Sequence, residues 1–84
     1  MDTIPAPTTL PTLRQTVAHV VGAAPDDIGD DDNLIFLGLG SLEVMRLITA
    51  WRRSGVAADF AALVAEPTLA AWWRHLSATN PADR

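Results

Sequence analysis

The sequence predicts an all-α fold: a small four-helix bundle of three longer helices and one short third helix. Two observations carry this. Apolar residues recur at three- and four-residue steps in separate segments, each bracketed by capping residues and by a glycine or proline. No segment carries a strand signal, and no internal repeat is visible.

The first helix is expected over Leu10 to Val21. Leu10, Leu13, Val17, Val20 and Val21 form one apolar stripe. Thr9 can cap its start, Pro11 is tolerated in the first turn, and Gly22 ends it with Pro25 soon after. A long connection follows, from Ala23 to Gly40. A structureless loop of that length is unusual inside a small domain unless it carries function. Ile28, Leu34, Phe36, Leu37 and Leu39 are read as anchors that fold it over the core, with a short helical turn at Asn33 to Leu37 capped by Asp32 or Asn33.

The second helix is expected from Ser41 to Arg53. Val44, Leu47, Ile48 and Trp51 make its inward stripe, Leu42 and Met45 fall to one side, and Gly55 terminates it. The short third helix follows Asp59 and covers about Phe60 to Val64, until Pro67 breaks the chain. Thr68 caps the fourth helix, in which Leu69, Trp72 or Trp73, and Leu76 face inward. Residues 1–8 and 79–84 are proline-bearing and polar and read as a flexible lead and tail around a domain at 9–78.

Composition narrows the function. With 84 residues and about half of them hydrophobic, the chain makes one small globular domain with no room for a deep cleft of its own. There is no cysteine, which excludes disulfides and thiolate metal sites and agrees with a cytoplasmic location. No secretory signal is expected near Asp2, and the longest apolar run, Phe60 to Ala65, cannot cross a bilayer. Net charge is −4, and five of the ten acids lie between Asp26 and Asp32. Such a run reads as a solvated loop, and nucleic-acid binding is disfavoured for lack of a basic stripe. All six cationic residues are Arg, and Arg46, Arg52 and Arg53 share the second helix.

The stretch "NLIFLGLGSLEVMRL" places Ser41 directly after Gly38 and Gly40 at the foot of that helix. Three readings exist. The first makes Ser41 the N-cap, although Val44 offers no capping-box partner. It is no nucleophile by itself, because His19 and His75 lie on other helices without triad spacing. Two scattered histidines make no zinc site either. The third reading is an attachment point: a helix start favours an anion, so a phosphodiester on this hydroxyl would be stabilised, and the glycines reduce the bulk beside it.

These residues carry a resemblance. "DDNLIFLGLGSLEVMRL" resembles the phosphopantetheine-attachment motif of acyl and peptidyl carrier proteins, in which a D-x-L-like loop leads into G-x-x-S-L at the second helix. The match extends through "LRQTVAHVVG", "PDDI" and "EPTLAAWW", nearly the whole chain. It is closer to aryl carrier domains of siderophore-type nonribosomal synthesis, such as those fused to isochorismatase enzymes. Those look like "GLGSLEVMRL", "WRRSG" and "DFAALVAEPTLAAWW" here. Trp51, Trp72 and Trp73 would then be core residues, as their periodicity also indicates. One departure stands out. The residue before the serine is commonly Asp or His in the family and is Gly40 here, which bears on which modifying enzyme is preferred.

The resemblance implies a non-catalytic, monomeric carrier. A phosphopantetheinyl transferase would attach 4′-phosphopantetheine to Ser41, and an adenylating enzyme would load an aryl or aminoacyl group as a thioester. A condensation or acyl-transfer enzyme would then receive it. The transferase supplies the activation that Ser41 lacks locally. Tethering raises effective concentration, and partners must bind weakly enough to leave. Leu42, Met45, Arg46, Phe60 and Val64 are the expected partner face, with core filling the other reading of Phe60 and Val64. Arg46, Arg52 and Arg53 differ from the acidic second helix expected of fatty-acid carriers and favour nonribosomal or aryl loading. An acyl carrier for polyketide-type transfer is one alternative. A helical adaptor without a prosthetic group, in which Ser41 only caps, is another.

Overall fold

Four helices follow from local capping chemistry. The computed structural model describes Ile4 and residues 6–79. Helix α1 spans Leu10–Val21, α2 Ser41–Arg53, α3 Phe60–Ala65 and α4 Leu69–Thr79. Thr9 Oγ1 accepts from Thr12 N at the head of α1, Asp59 Oδ2 from Ala62 N at α3, and Thr68 Oγ1 from Ala71 N at α4.

Two helices stop in the same way. Gly22 has φ 78° and Gly55 φ 86°, the left-handed region that glycine adopts without penalty. After α1, Gly22 N donates to His19 O and Ala23 N to Ala18 O. After α2, Gly55 N donates to Arg52 O and Val56 N to Trp51 O. Each pair satisfies carbonyls that the helix end leaves open.

Helix α4 packs against α1 and α3, and α3 packs against α2. The core comprises Leu13, Val17 and Ala18 of α1, Val44, Leu47, Ile48 and Trp51 of α2, Leu63 of α3, and Leu69, Trp72 and Leu76 of α4. Trp72 takes the inward place and Trp73 is half-buried. The rings of Trp51 and Trp72 meet T-shaped, with centroids 6.4 Å apart.

The connection between α1 and α2 is pinned from three sides. It contains a 3₁₀ turn at Pro25–Asp27. Ile28, Leu34 and Leu39 are buried in the core. Arg14 of α1 donates from Nη1 to Ile28 O at 2.6 Å and pairs through Nη2 with Asp30 Oδ1. Ala70 N donates to Asp30 O, and Leu34 N to Pro67 O at 2.7 Å. The acids of the run stay exposed, yet the loop is tied: Asp32 also accepts from Gly29 N.

The lead expected at 1–8 falls partly outside the described residues, as does the tail beyond Thr79. Within the described part, Ile4 packs against the core and Pro7 is buried.

Helix α3 shows how a short helix is held. Its Leu63 carbonyl would bond the amide four residues on, but that residue is Pro67, which has no N–H. Trp72 Nε1 supplies the donor instead, 2.8 Å away. At the other end, Asp59 N donates to His75 Nε2 at 3.1 Å, so this imidazole nitrogen acts as an acceptor. Thus α4 fixes α3 at both ends, on the flank of α2.

Candidate functional site

The site begins with the turn before α2. Asn33 Oδ1 accepts from the amides of both Ile35 and Phe36, which tightens the chain into a turn. Leu37 N and Leu39 N both donate to Leu34 O. Leu34 and Leu39 point inward, so the three residues after Leu34 are displayed. Phe36 is 87% exposed, and Ile35 and Leu37 are exposed too. This corrects the expectation that Phe36 and Leu37 anchor the loop; the anchors are Ile28, Leu34 and Leu39.

Gly38 adopts φ 109°, where a side chain is strained, yet a Cβ there would meet nothing within 4 Å. Its requirement is conformational, not a matter of bulk. Gly40 is different. Its φ of −92° and ψ of 175° suit any residue, but an added Cβ would lie 2.8 Å from Glu43 Oε1.

Gly40 is the N-cap of α2, and Ser41 is its first helical residue. The reading of Ser41 as N-cap is therefore off by one position. The missing capping partner moves with it: Glu43 is now the third helical residue, and its Oε1 accepts from Gly40 N at 3.0 Å. Glycine has no side-chain oxygen, so only this carboxylate half of a capping box is formed. Val44 N to Gly40 O is the first bond of the helix. The amides of Ser41, Leu42 and Glu43 have no acceptor among the described residues. Ser41 is exposed, and its hydroxyl has no hydrogen-bond partner among the described residues. The two histidines are engaged elsewhere: His75 with Asp59, and His19 on the exposed side of α1.

The expected partner residues divide into two groups. Leu42, 72% exposed, lines one shallow groove with Met45, Arg46, Thr49, Arg53 and Ile4, enclosing about 290 Å³ on the outer side of α2. Phe60 and Val64 of α3 do not line it. They are half-buried and pack against the core while keeping part of their surface in solvent. Arg46, Arg52 and Arg53 are all exposed along α2. Phe36 was not among the expected contacts; its signal was the asparagine that begins the turn.

A family model described as a phosphopantetheine attachment site matches residues 11–76. The chain belongs to this family. Carriers of this kind hold 4′-phosphopantetheine covalently on a serine. The chain is 42% identical over 66 residues to phenyloxazoline synthase MbtB of Mycobacterium tuberculosis (strain CDC 1551 / Oshkosh), a match covering 79% of the chain and 5% of that protein. It is 38% identical over 73 residues to enterobactin synthase component B of Escherichia coli (strain K12), covering 87% of the chain and 25% of that protein. Acyl carrier protein ScoB of Streptomyces coeruleorubidus is 35% identical over 75 residues, with 89% and 88% covered. The carrier thus spans a small fraction of the two synthases and most of ScoB. No solved structure matches it significantly. Among the described residues, no helix is long and apolar enough to cross a membrane.

Proposed function

We propose that Ser41 bears the phosphopantetheine arm and that this carrier presents an aryl or aminoacyl thioester to the enzymes of a nonribosomal pathway. One observation carries the assignment. Ser41 offers an unengaged hydroxyl at the first position of α2, beside three backbone amides without acceptors. A phosphodiester there meets both the free N–H groups and the positive end of the helix dipole. The other serines lack this setting: Ser54 is the C-cap of α2, and Ser77 lies in the body of α4.

In the loading step, Ser41 Oγ forms a bond to the phosphorus of coenzyme A that bears the pantetheine. The pyrophosphate bond breaks, adenosine 3′,5′-bisphosphate departs, and the hydroxyl proton passes to the transferase. The carrier contributes no base. Its part is to present the hydroxyl and to stabilise the anion afterwards. It is non-catalytic and monomeric in this reading, and works in the cytoplasm where coenzyme A is abundant.

The aryl or aminoacyl cargo is supported by the relatives named phenyloxazoline synthase and enterobactin synthase component B. The exposed arginines of α2 support it too, since charge at a transient interface selects partners. An adenylating enzyme would load the thiol, and a condensation or acyl-transfer enzyme would dock on Leu42, Met45, Arg46, Phe60 and Val64. The match to acyl carrier protein ScoB over most of its length favours a second reading, acyl transfer of polyketide type.

The test is intact-mass spectrometry after incubation with coenzyme A, Mg²⁺ and a broad-specificity transferase. The wild-type chain and Ser54→Ala should each gain one phosphopantetheine, and Ser41→Ala none. Loading of Ser41→Ala would refute the assignment. Loading assays with candidate adenylating enzymes and acids then separate aryl, aminoacyl and other acyl cargo.

A further inference from the structure

We propose that Glu43, by holding the Gly40 amide, is a positioning residue for the loading of Ser41. The proposal rests on the assignment of the arm to Ser41. Leu39 is fully buried and its amide is bonded to Leu34 O; Val44 is fully buried and its amide is bonded to Gly40 O. Ser41 therefore rides on a short bridge between two anchors. The weak point of that bridge is Gly40, because glycine has the widest conformational freedom of any residue. Left untied, it would swing the peptide from which Ser41 projects.

Glu43 removes that freedom. Its carboxylate reaches back along the first turn and accepts from Gly40 N at 3.0 Å, in a half-buried position. The carboxylate occupies the space that a side chain at residue 40 would fill, 2.8 Å from an ideal Cβ. Because Gly40 has ordinary extended dihedrals, alanine at this position strains no backbone. The flexible end of Glu43 need shift only slightly to admit it, and a Cβ at the N-cap is compatible with the carboxylate bond. The bond also places a negative charge at the helix start while the serine is unmodified, where the dipole favours it.

The consequence is kinetic. A transferase must bring phosphorus onto Ser41 Oγ in line, and misplacement of a reacting group by about 1 Å can cost on the order of 100-fold in rate. Losing one capping bond only lowers the population of the correct geometry, so the expected loss is about 3- to 10-fold. Docking through the exposed side chains around the serine is unchanged, so the loss appears in kcat and not in KM.

The experiment measures kcat and KM for arm transfer from coenzyme A by a single transferase. The chains compared are wild type, Glu43→Ala, Glu43→Gln, Gly40→Ala and Gly40→Ala/Glu43→Ala. Amide exchange at residue 40 is followed in the unloaded proteins, and circular dichroism confirms folding. Glu43→Gln keeps an acceptor oxygen and Gly40→Ala keeps the bond possible, so both should stay within about 2-fold of wild type, whereas Glu43→Ala loses kcat. The double variant should be no slower than Glu43→Ala, because alanine at position 40 adds no loss of its own. The residue-40 amide should be protected in wild type, Glu43→Gln and Gly40→Ala and exchange fast in the two chains that lack the Glu43 side chain. Three results would overturn the proposal: undiminished kcat in Glu43→Ala, equal loss in Glu43→Gln and Glu43→Ala, or a double variant slower than Glu43→Ala. If Glu43→Ala fails to fold, Glu43→Ser, whose short side chain cannot reach the Gly40 amide, compared with Glu43→Gln decides the same question. A wild-type chain that takes up no arm would overturn the assignment of Ser41 and this proposal together. A wild-type chain that loads alongside an equally fast Glu43→Ala overturns this proposal alone.

Discussion

Two tryptophans provide an internally controlled test of what holds α3 in place. Trp51 and Trp72 are both essentially fully buried, and they pack against each other. Trimming either to phenylalanine removes the same atoms and weakens the same ring contact, so transfer and cavity costs are shared to first order. The indole N–H groups differ. Trp72 Nε1 donates to Leu63 O at 2.8 Å, and Pro67 leaves that carbonyl no helical donor. Trp51 Nε1 is buried with no hydrogen-bond partner among the described residues. Trp72→Phe therefore orphans a buried carbonyl, at about 1–3 kcal/mol. Trp51→Phe removes a buried, unpaired donor and recovers about 1–3 kcal/mol. Trp72→Phe should be the less stable variant by about 2–6 kcal/mol, a large share of a small domain's total stability. Urea unfolding followed by circular dichroism measures this. With a slope of about 1 kcal/mol/M, the two midpoints should differ by at least about 2 M. Equal midpoints, or a lower one for Trp51→Phe, would refute the hydrogen-bond reasoning.

Gly38→Ala should lose about 1–3 kcal/mol through backbone strain alone, since φ is 109° and a Cβ there meets no neighbour; thermal melts that match wild type would contradict this. Arg14→Ala should cost about 1–2 kcal/mol, mainly through the bond to Ile28 O, because the half-exposed pair with Asp30 adds little. High salt should accordingly change its midpoint little, and a loss that vanishes in salt would assign the effect to the ion pair. Phe36→Ala and Leu42→Ala should leave the melt within about 0.5 kcal/mol of wild type, as both side chains are mostly exposed. In the proposed function they should slow transfer of the arm-borne acyl group to a purified partner synthetase several-fold; unchanged transfer would remove them from the docking surface.

The helices were legible because their limits are written in local chemistry. Gly22 and Gly55 adopt the left-handed conformation, and Thr9, Asp59 and Thr68 cap through their own side chains. The inward stripe of α2 followed from spacing alone. The connection before α2 was less legible. Residue type marked Phe36 and Leu37 as apolar but could not show that Asn33 turns the chain and displays them. The start of α2 at Ser41 was legible, but its cap was displaced by one residue, because capping is read from side-chain oxygens and the actual cap, Gly40, has none. That displacement hid Glu43, whose role exists only when the cap is at position 40. Contacts across the fold had no local signal at all. Arg14 meets Asp30 sixteen residues away, and Trp72 serves a carbonyl orphaned by Pro67.

The arrangement of arginines makes the central claim directly measurable. The chain has no lysine, and cleavage after arginine puts each serine on its own fragment: Ser41 on 15–46, Ser54 on 54–74 and Ser77 on 75–84. After loading from coenzyme A, mass spectrometry of this digest should find the phosphopantetheine on fragment 15–46 alone. An arm on either of the other fragments, or on none while a control carrier is loaded in the same reaction, would contradict the account.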